Sequence, residues 1–292
     1  MLFLSLLFLV VQNSGNLSIE YDEIDRDLAM EILGTAREAL PEISDFIGYV
    51  YKKDIRIKLI SDVKEFQSLT EEGFPDWGVG FADAENSLII IYSPRVVKSN
   101  IDVKSITKHE LAHIVLGGAA GGYALPRWFN EGIAMYCSQE WRFGRERVLA
   151  IANFTNSLIP LSSLEHTFPS DARRAELAYT ESFSAVAYII KNFGREALRD
   201  IIRNLREENF DGAVFSALAI TYGEFTREWG AWAKKTYNWA YFLSTNWFLW
   251  IIILVVFLVV GIISLRGRRR KLKELEGDRQ DAYHSGNDAN ES

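Results

Sequence analysis

"ITKHELAHIVLGG", residues 106–118, sets two histidines four positions apart with a glutamate directly after the first. A helix of 3.6 residues per turn brings side chains at i and i+4 onto one face. His109 and His113 therefore point to one place, and Glu110 lies beside them at a slightly different angle. Two neutral imidazoles so placed suit zinc, and the neighbouring carboxylate is within reach of a proton on a water held there. Ile106, Leu111, Ile114, Val115 and Leu116 surround this polar stripe, so the helix is expected to be buried on most sides. Unpaired imidazoles and a carboxylate are costly in such a place. The alternative is a helix with two hydrogen-bonded core histidines and a solvated glutamate. With only four histidines in 292 residues, the spacing favours the metal. Gly117 and Gly118 read as the helix stop.

A zinc site needs a further protein ligand. A metzincin would place Gly at 116 and His at 119, where this chain has Leu116 and Ala119. His166 belongs to no ligand motif, and His284 lies near the C-terminus. "LPRWFNEGIAMY", residues 125–136, is the better source. Pro126 can open a helix, and Glu131 on that helix is separated from His113 by seventeen residues that include a Gly-rich reversal. A hairpin of two helices brings Glu131 opposite the histidine pair. Trp128, Phe129, Ile133, Ala134 and Tyr136 make the second helix read as buried, and a buried glutamate wants a cation. Gly132 beside it permits close helix packing.

Upstream, "AMEILGTAREALPEISDFIGY" predicts a helix broken near Pro41. "DIRIKLIS" alternates as a half-buried strand does, and "SLIIIYSP" reads as a second strand ending at Pro94 after a turn region, "GVGFADAEN". From Asp102 onward the pattern is mainly helical. The strand over residues 88–92 is read as an edge on which an extended substrate can pair. The region shows no repeat and no low-complexity linker, so residues 16–243 are expected to form one α+β domain, a small β-sheet followed by a mainly helical zinc-binding part.

The two ends of the chain differ from this middle. Residues 2–11, "LFLSLLFLVV", make an apolar run of signal-peptide length, and 1–15 is expected to be a secretory signal cleaved near Ser14 or Gly15. Residues 247–265 carry no charge over nineteen positions, about 28 Å of helix at 1.5 Å per residue, so a transmembrane helix is expected over 246–265. Tyr237, Trp239 and Tyr241 precede it, while Arg266, Arg268, Arg269, Arg270, Lys271 and Lys273 follow at once. That asymmetry places 266–292 in the cytoplasm and the middle outside it, in the cell membrane as a single-pass protein. The other reading of "RGRRRKLK" is a nucleic-acid or lipid patch, and anionic lipid contact is compatible with the membrane reading.

The net charge of −7 includes that basic tail, so the translocated part is more acidic still, which argues against a nucleic-acid partner. One cysteine, Cys137, allows no intramolecular disulfide and reads as a small buried apolar side chain. The domain is therefore expected to hold together by its core or by bound metal.

"HELAH" followed by "LPRWFNEGIA" resembles the gluzincin metallopeptidases, in particular the peptidase MA-like group related to thermolysin and to the zinc aminopeptidases. The resemblance implies a gluzincin-like fold, a peptide or protein substrate, Zn2+ bound by His109, His113 and Glu131, and Glu110 as general base. It extends more loosely to about residue 235 through "AELAYTESFSAVAYIIKNFG" and "FSALAITYGEFTREWGAWAKK". It further implies an oxyanion donor on the helix after the glutamate ligand, here Tyr179 in "AYTES", against which stands an ordinary half-buried aromatic; His166 and Tyr123 are the runners-up. The chain departs from thermolysin where an Asp four residues after the glutamate ligand supports a histidine, since Met135 stands there. It departs from the aminopeptidases in lacking GxMEN, with Glu85 and Asn86 of "FADAEN" matching only its end, so exopeptidase activity is not implied. The expected function is a membrane-anchored zinc-dependent peptide hydrolase. The rival is a non-catalytic, zinc-stabilised, membrane-tethered binding or assembly module, which an intact Glu110 disfavours because a purely structural site needs no base.

Overall fold

Ile55, Ile57 and Leu59 alternate with Arg56 and Lys58, and all three apolar side chains are buried in a strand, β3 (Ile55–Ile60). In the computed structural model, which describes residues 9–61, 80–93, 102–139, 145–238 and 250–268, β3 is the centre of a five-stranded mixed sheet. The other strands are β1 (Leu9–Ser14), β2 (Leu17–Asp22), β4 (Gly80–Asp83) and β5 (Leu88–Tyr92). Their order is β1-β2-β3-β5-β4, parallel across β2-β3-β5 and antiparallel at both ends. The register aligns Ile19, Ile57 and Ile89 in one row and Leu59, Ile91 and Gly80 in the next. Because strand side chains repeat every two residues, these rows share one face, against which α1 (Arg26–Ile47) and α2 (Val103–Ala120) pack.

Three expectations change here. The helix expected to break near Pro41 runs unbroken from Arg26 to Ile47. Burial of Ala36 and Ala39 before the proline and of Ile43 and Ile47 after it holds both halves on the core. "GFAD", expected as turn, is strand β4: it pairs antiparallel with β5, Phe81 packs against the Ile60, Ile90 and Tyr92 cluster, and the turn is confined to residues 84–87. Consequently β5 is hydrogen-bonded on both sides and is not an edge; among the described residues β4 ends the sheet. The stretch expected to be a leader also contributes structure, since Leu9–Ser14 pairs with β2 through a turn at Gly15, whose φ of +64° suits glycine. Residues 1–8 and Pro94 lie outside the described residues.

The helical half follows as expected. After α2 come α3 (Arg127–Cys137), α4 (Arg145–Phe154), a 3-10 turn (Leu161–Leu164), α5 (Ala172–Phe193), α6 (Arg195–Asn204), α7 (Phe210–Leu218) and α8 (Tyr222–Thr236). The fully buried Trp128 at the start of α3 stacks on Tyr222 and Phe225, and its indole N–H donates to the Tyr222 hydroxyl at 3.0 Å. This ties the helix that carries Glu131 to α8. Gly132 lets α3 lie directly on α5: a Cβ there would stand 2.4 Å from the Ser182 carbonyl oxygen.

Unit 1, Met1–Asn238, contains everything above; unit 2, Trp239–Ser292, contains α9 (Trp250–Arg268), long and apolar enough to cross a membrane. Its large apolar side chains, from Trp250 to Leu265, are exposed on all sides of the helix. Residues 246–249 and the basic tail beyond Arg268 lie outside the described residues.

Candidate functional site

Helix α2 begins at Asp102, whose carboxylate caps the backbone N–H groups of Lys104 and Ser105. It does not stop at Gly117 and Gly118 but continues to Ala120, with Gly121 (φ +68°) as its left-handed cap. The two inner glycines serve packing instead. A Cβ on Gly117 would meet Ala84 at 2.4 Å, and one on Gly118 would meet the Tyr51 ring at 2.8 Å. They let the β4–β5 turn and Tyr51 close over the last turns of the helix.

This helix and α3 form the expected hairpin, and one ligand atom each from His109, His113 and Glu131 come within 4.8 Å of one another. The imidazole rings lie edge to face at 4.8 Å. Glu131 Oε2 is 3.4 Å from His109 Nε2 and 3.7 Å from His113 Nε2. Ligands bound at 2.0–2.2 Å to a tetrahedral ion stand about 3.3–3.6 Å from each other, so these spacings fit an ion between them. Burial by itself would raise Glu131. The hydrogen bond from His109 and the charges of His113, His109 and Arg127 outweigh that effect and hold its carboxyl below the ordinary range. Glu131 is thus an anion, as a ligand must be.

The other nitrogen of His113 is occupied. Nδ1 lies 2.9 Å from Asn130 Oδ1; since that oxygen only accepts, Nδ1–H donates and the Nε2 lone pair is left facing the cluster. Met135, where thermolysin has its supporting Asp, is buried and accepts a weak contact from Arg145 through sulfur. Asn130 therefore fills the supporting role for His113. The sequence reading missed it; an asparagine inside an otherwise apolar helix, next to a ligand, was the available signal.

Glu110 is buried beneath β4. A Cβ added to Gly80 would lie 2.6 Å from Glu110 Oε1, so only glycine lets the strand pass this close to the carboxylate. The end strand of the sheet and the candidate base are thus in contact.

Tyr179, on α5, is part-buried at the same site. Burial, then the carboxylates of Glu131 and Glu110, push its phenol well above the ordinary range, while Arg127 opposes them and donates it a hydrogen bond. Arg127 Nε also lies 3.7 Å from Glu131 Oε1, and its guanidinium sits 5.0 Å over the Phe168 ring, which meets Tyr179 edge-on at 4.9 Å. By contrast, Tyr123 is 55% exposed in the α2–α3 connection, and His166 is exposed. Burial pushes the Cys137 thiol up to about 12, which agrees with an unreactive, packed side chain. Asn86 is spent on its own turn, donating to Asp83 Oδ2 at 2.7 Å, so "FADAEN" is accounted for as the end of strand β4 and the turn that follows it.

The profile of the peptidase MA superfamily matches residues 35–235, from within α1 to the last turn of α8. The chain belongs to the peptidase MA superfamily. Comparison with curated proteins gives no match. As a gluzincin-type metallopeptidase family, peptidase MA accounts for a His-His-Glu cluster assembled from two antiparallel helices beside the end strand of a mixed sheet. The β1–β2 hairpin and α9 lie outside the matched stretch.

Proposed function

We propose that this peptidase MA protein is a membrane-anchored, zinc-dependent peptide hydrolase acting outside the cytoplasm, with residues 1–15 as secretory signal, 16–243 as the catalytic domain, 246–265 as the membrane span and 266–292 as a cytoplasmic tail. The observation that carries the reading is the convergence of His109 Nε2, His113 Nε2 and Glu131 Oε2 at ligand spacing, with Glu110 buried alongside. Two imidazoles and one carboxylate are the donor set of a catalytic zinc site, which keeps one position open.

Zinc bound there supplies Lewis acidity that polarises the scissile carbonyl and acidifies water. The chain's own groups do the rest. Glu110 takes the proton as the water oxygen bonds to the carbonyl carbon, and returns it to the amide nitrogen as the C–N bond breaks. Tyr179 donates a hydrogen bond from its hydroxyl to the developing oxyanion, with the Arg127 guanidinium holding the phenolic oxygen in place. Asn130 fixes the His113 tautomer. The end strand β4 passing over Glu110 is the edge on which an extended peptide adds as a further strand.

The α9 helix supports the anchor by its length and its exposed apolar side chains from Trp250 to Leu265, and six basic residues over 266–273 support an inside tail. The test is metal content together with cleavage of a diverse peptide library by the detergent-solubilised full chain. One zinc per chain and cleavage abolished by a chelator are expected; stoichiometric zinc with no cleavage would instead favour the tethered binding module.

A further inference from the structure

Helix α4 carries apolar residues that the core does not use. Its inner side buries Leu149, Ala150 and Ala152, while Arg147, Ile151 and Phe154, spaced i, i+4 and i+7, form an exposed stripe in which Phe154 is 80% and Ile151 50% accessible. Large aromatic side chains this exposed on a helix face call for a partner. The stripe's location identifies one. Asn153, next to Phe154, donates through Nδ2 to the carbonyls of Ala233 at 3.0 Å and Tyr237 at 2.8 Å, clamping the end of α4 to the point where the chain leaves unit 1. Between those two acceptors in sequence lie Lys234 and Lys235, both exposed. Trp232 packs edge-on against Tyr237 at 5.6 Å, and the Lys191 ammonium sits 5.7 Å over the Trp232 ring.

Exposed apolar residues together with an arginine on one helix, and exposed lysines at the end of the helix clamped to it, have the composition of a surface that meets phospholipid headgroups. In sequence this surface is followed by residues 239–249, "WAYFLSTNWFL", which carry no charge, and then by α9. We infer that the α4 stripe and the C-terminal end of α8 form a lipid-docking face, with Ile151 and Phe154 entering the headgroup–acyl boundary of the bilayer and Arg147, Lys234 and Lys235 meeting its phosphates. The inference rests on the membrane anchor proposed above. It adds that the catalytic unit lies on the bilayer by a defined face rather than hanging free from its tether.

The test uses the full chain reconstituted in phosphatidylcholine vesicles containing phosphatidylglycerol, with Cys137→Ala and a single new cysteine carrying an environment-sensitive dye. Phe154→Cys and Ile151→Cys report on the face; Phe215→Cys, exposed on α7, is the reference. The expected result is blue-shifted emission at 154 and 151 that is lost on adding nitroxide-labelled lipid, with the 215 dye unaffected and open to iodide. Equal iodide access at all three positions, in a chain that floats with the vesicles, overturns the docking face and leaves the anchor standing. Shielding from iodide without quenching by nitroxide lipid assigns the face to a protein partner and also overturns it. A wild-type chain that fails to float with vesicles overturns anchor and docking face together.

Discussion

His113 and Asn130 are joined by a 2.9 Å hydrogen bond between Nδ1 and Oδ1, across the hairpin that also delivers Glu131. The residue immediately before one ligand thus orients another. Replacing Asn130 by Ala removes the acceptor and frees the imidazole to rotate and change tautomer. Zinc affinity is expected to fall by about 10- to 100-fold, the usual effect of losing such a support, and Asn130→Asp should restore most of it. Competition with a chromogenic chelator checks this; unchanged affinity in the Ala variant refutes the supporting role.

Gly80 gives a second expectation. Because a Cβ there would fall 2.6 Å from Glu110 Oε1 and 2.9 Å from its Cγ, Gly80→Ala must displace either β4 or the carboxylate. Peptide cleavage is expected to drop while zinc stoichiometry stays at one, since the atoms nearest that Cβ belong to Glu110 and not to a ligand. A variant with wild-type turnover would show that the strand and the base are not coupled.

The parts of this site legible in the sequence are those where chemistry restricts residue type at fixed helical spacing: His109, Glu110, His113 and, one hairpin later, Glu131. Strand β4 was misread because Gly80, Ala82 and Asp83 have the composition of a turn, and only pairing with β5 makes them a strand. Gly117 and Gly118 were misread for the opposite reason. A local rule makes glycine a helix stop, whereas their cause is long-range contact with Ala84 and Tyr51. Asn130 escaped because accepting one hydrogen bond from an imidazole is a role many residues can fill, so no spacing announces it.

Glu181, on α5, is wholly buried; one oxygen accepts from Ile159 N–H at 3.0 Å and the other has no hydrogen-bond partner among the described residues, and burial raises it to about 8 against an ordinary value of 4.5. The folded chain keeps this proton between those values and the unfolded chain loses it. Stability therefore falls as pH rises from about 4.5 to about 8 and levels off above. Each pH unit inside that window costs the wild type about 1.4 kcal/mol relative to a neutral side chain. Glu181→Gln is expected to match the wild type near pH 5 and exceed it at pH 8 in urea unfolding. Parallel stability curves for the two proteins would show that Glu181 ionises normally in the fold.

The proposed topology is tested at the two ends of the chain. Cleavage near Gly15 removes β1 and exposes β2, whereas an uncleaved chain keeps the hairpin. Mass spectrometry of the mature N-terminus is expected to start near residue 15. Protease added to intact cells should spare an epitope placed after Ser292; loss of that epitope with the zinc domain protected reverses the orientation.

The last expectation separates hydrolysis from tethered binding and concerns Glu110, Tyr179 and Arg127 together. Glu110 stands outside the cluster of ligand atoms, so Glu110→Gln should keep full zinc and fold while cleavage falls at least about a hundredfold, the low end for a lost general base. Tyr179→Phe should raise the barrier by roughly 2.7–4 kcal/mol at unchanged metal content, as for a lost oxyanion donor. Arg127 donates to the Tyr179 hydroxyl and also approaches Glu131, so Arg127→Met acts through two routes, one on turnover and one on metal affinity. Measured at saturating zinc, only the first remains. If Arg127 works by orienting the Tyr179 hydroxyl, then Arg127→Met should lower kcat in the wild type and add little once Tyr179 is already Phe. Fully additive losses would assign Arg127 to substrate contact instead, and undiminished cleavage in Glu110→Gln would remove the hydrolytic mechanism altogether.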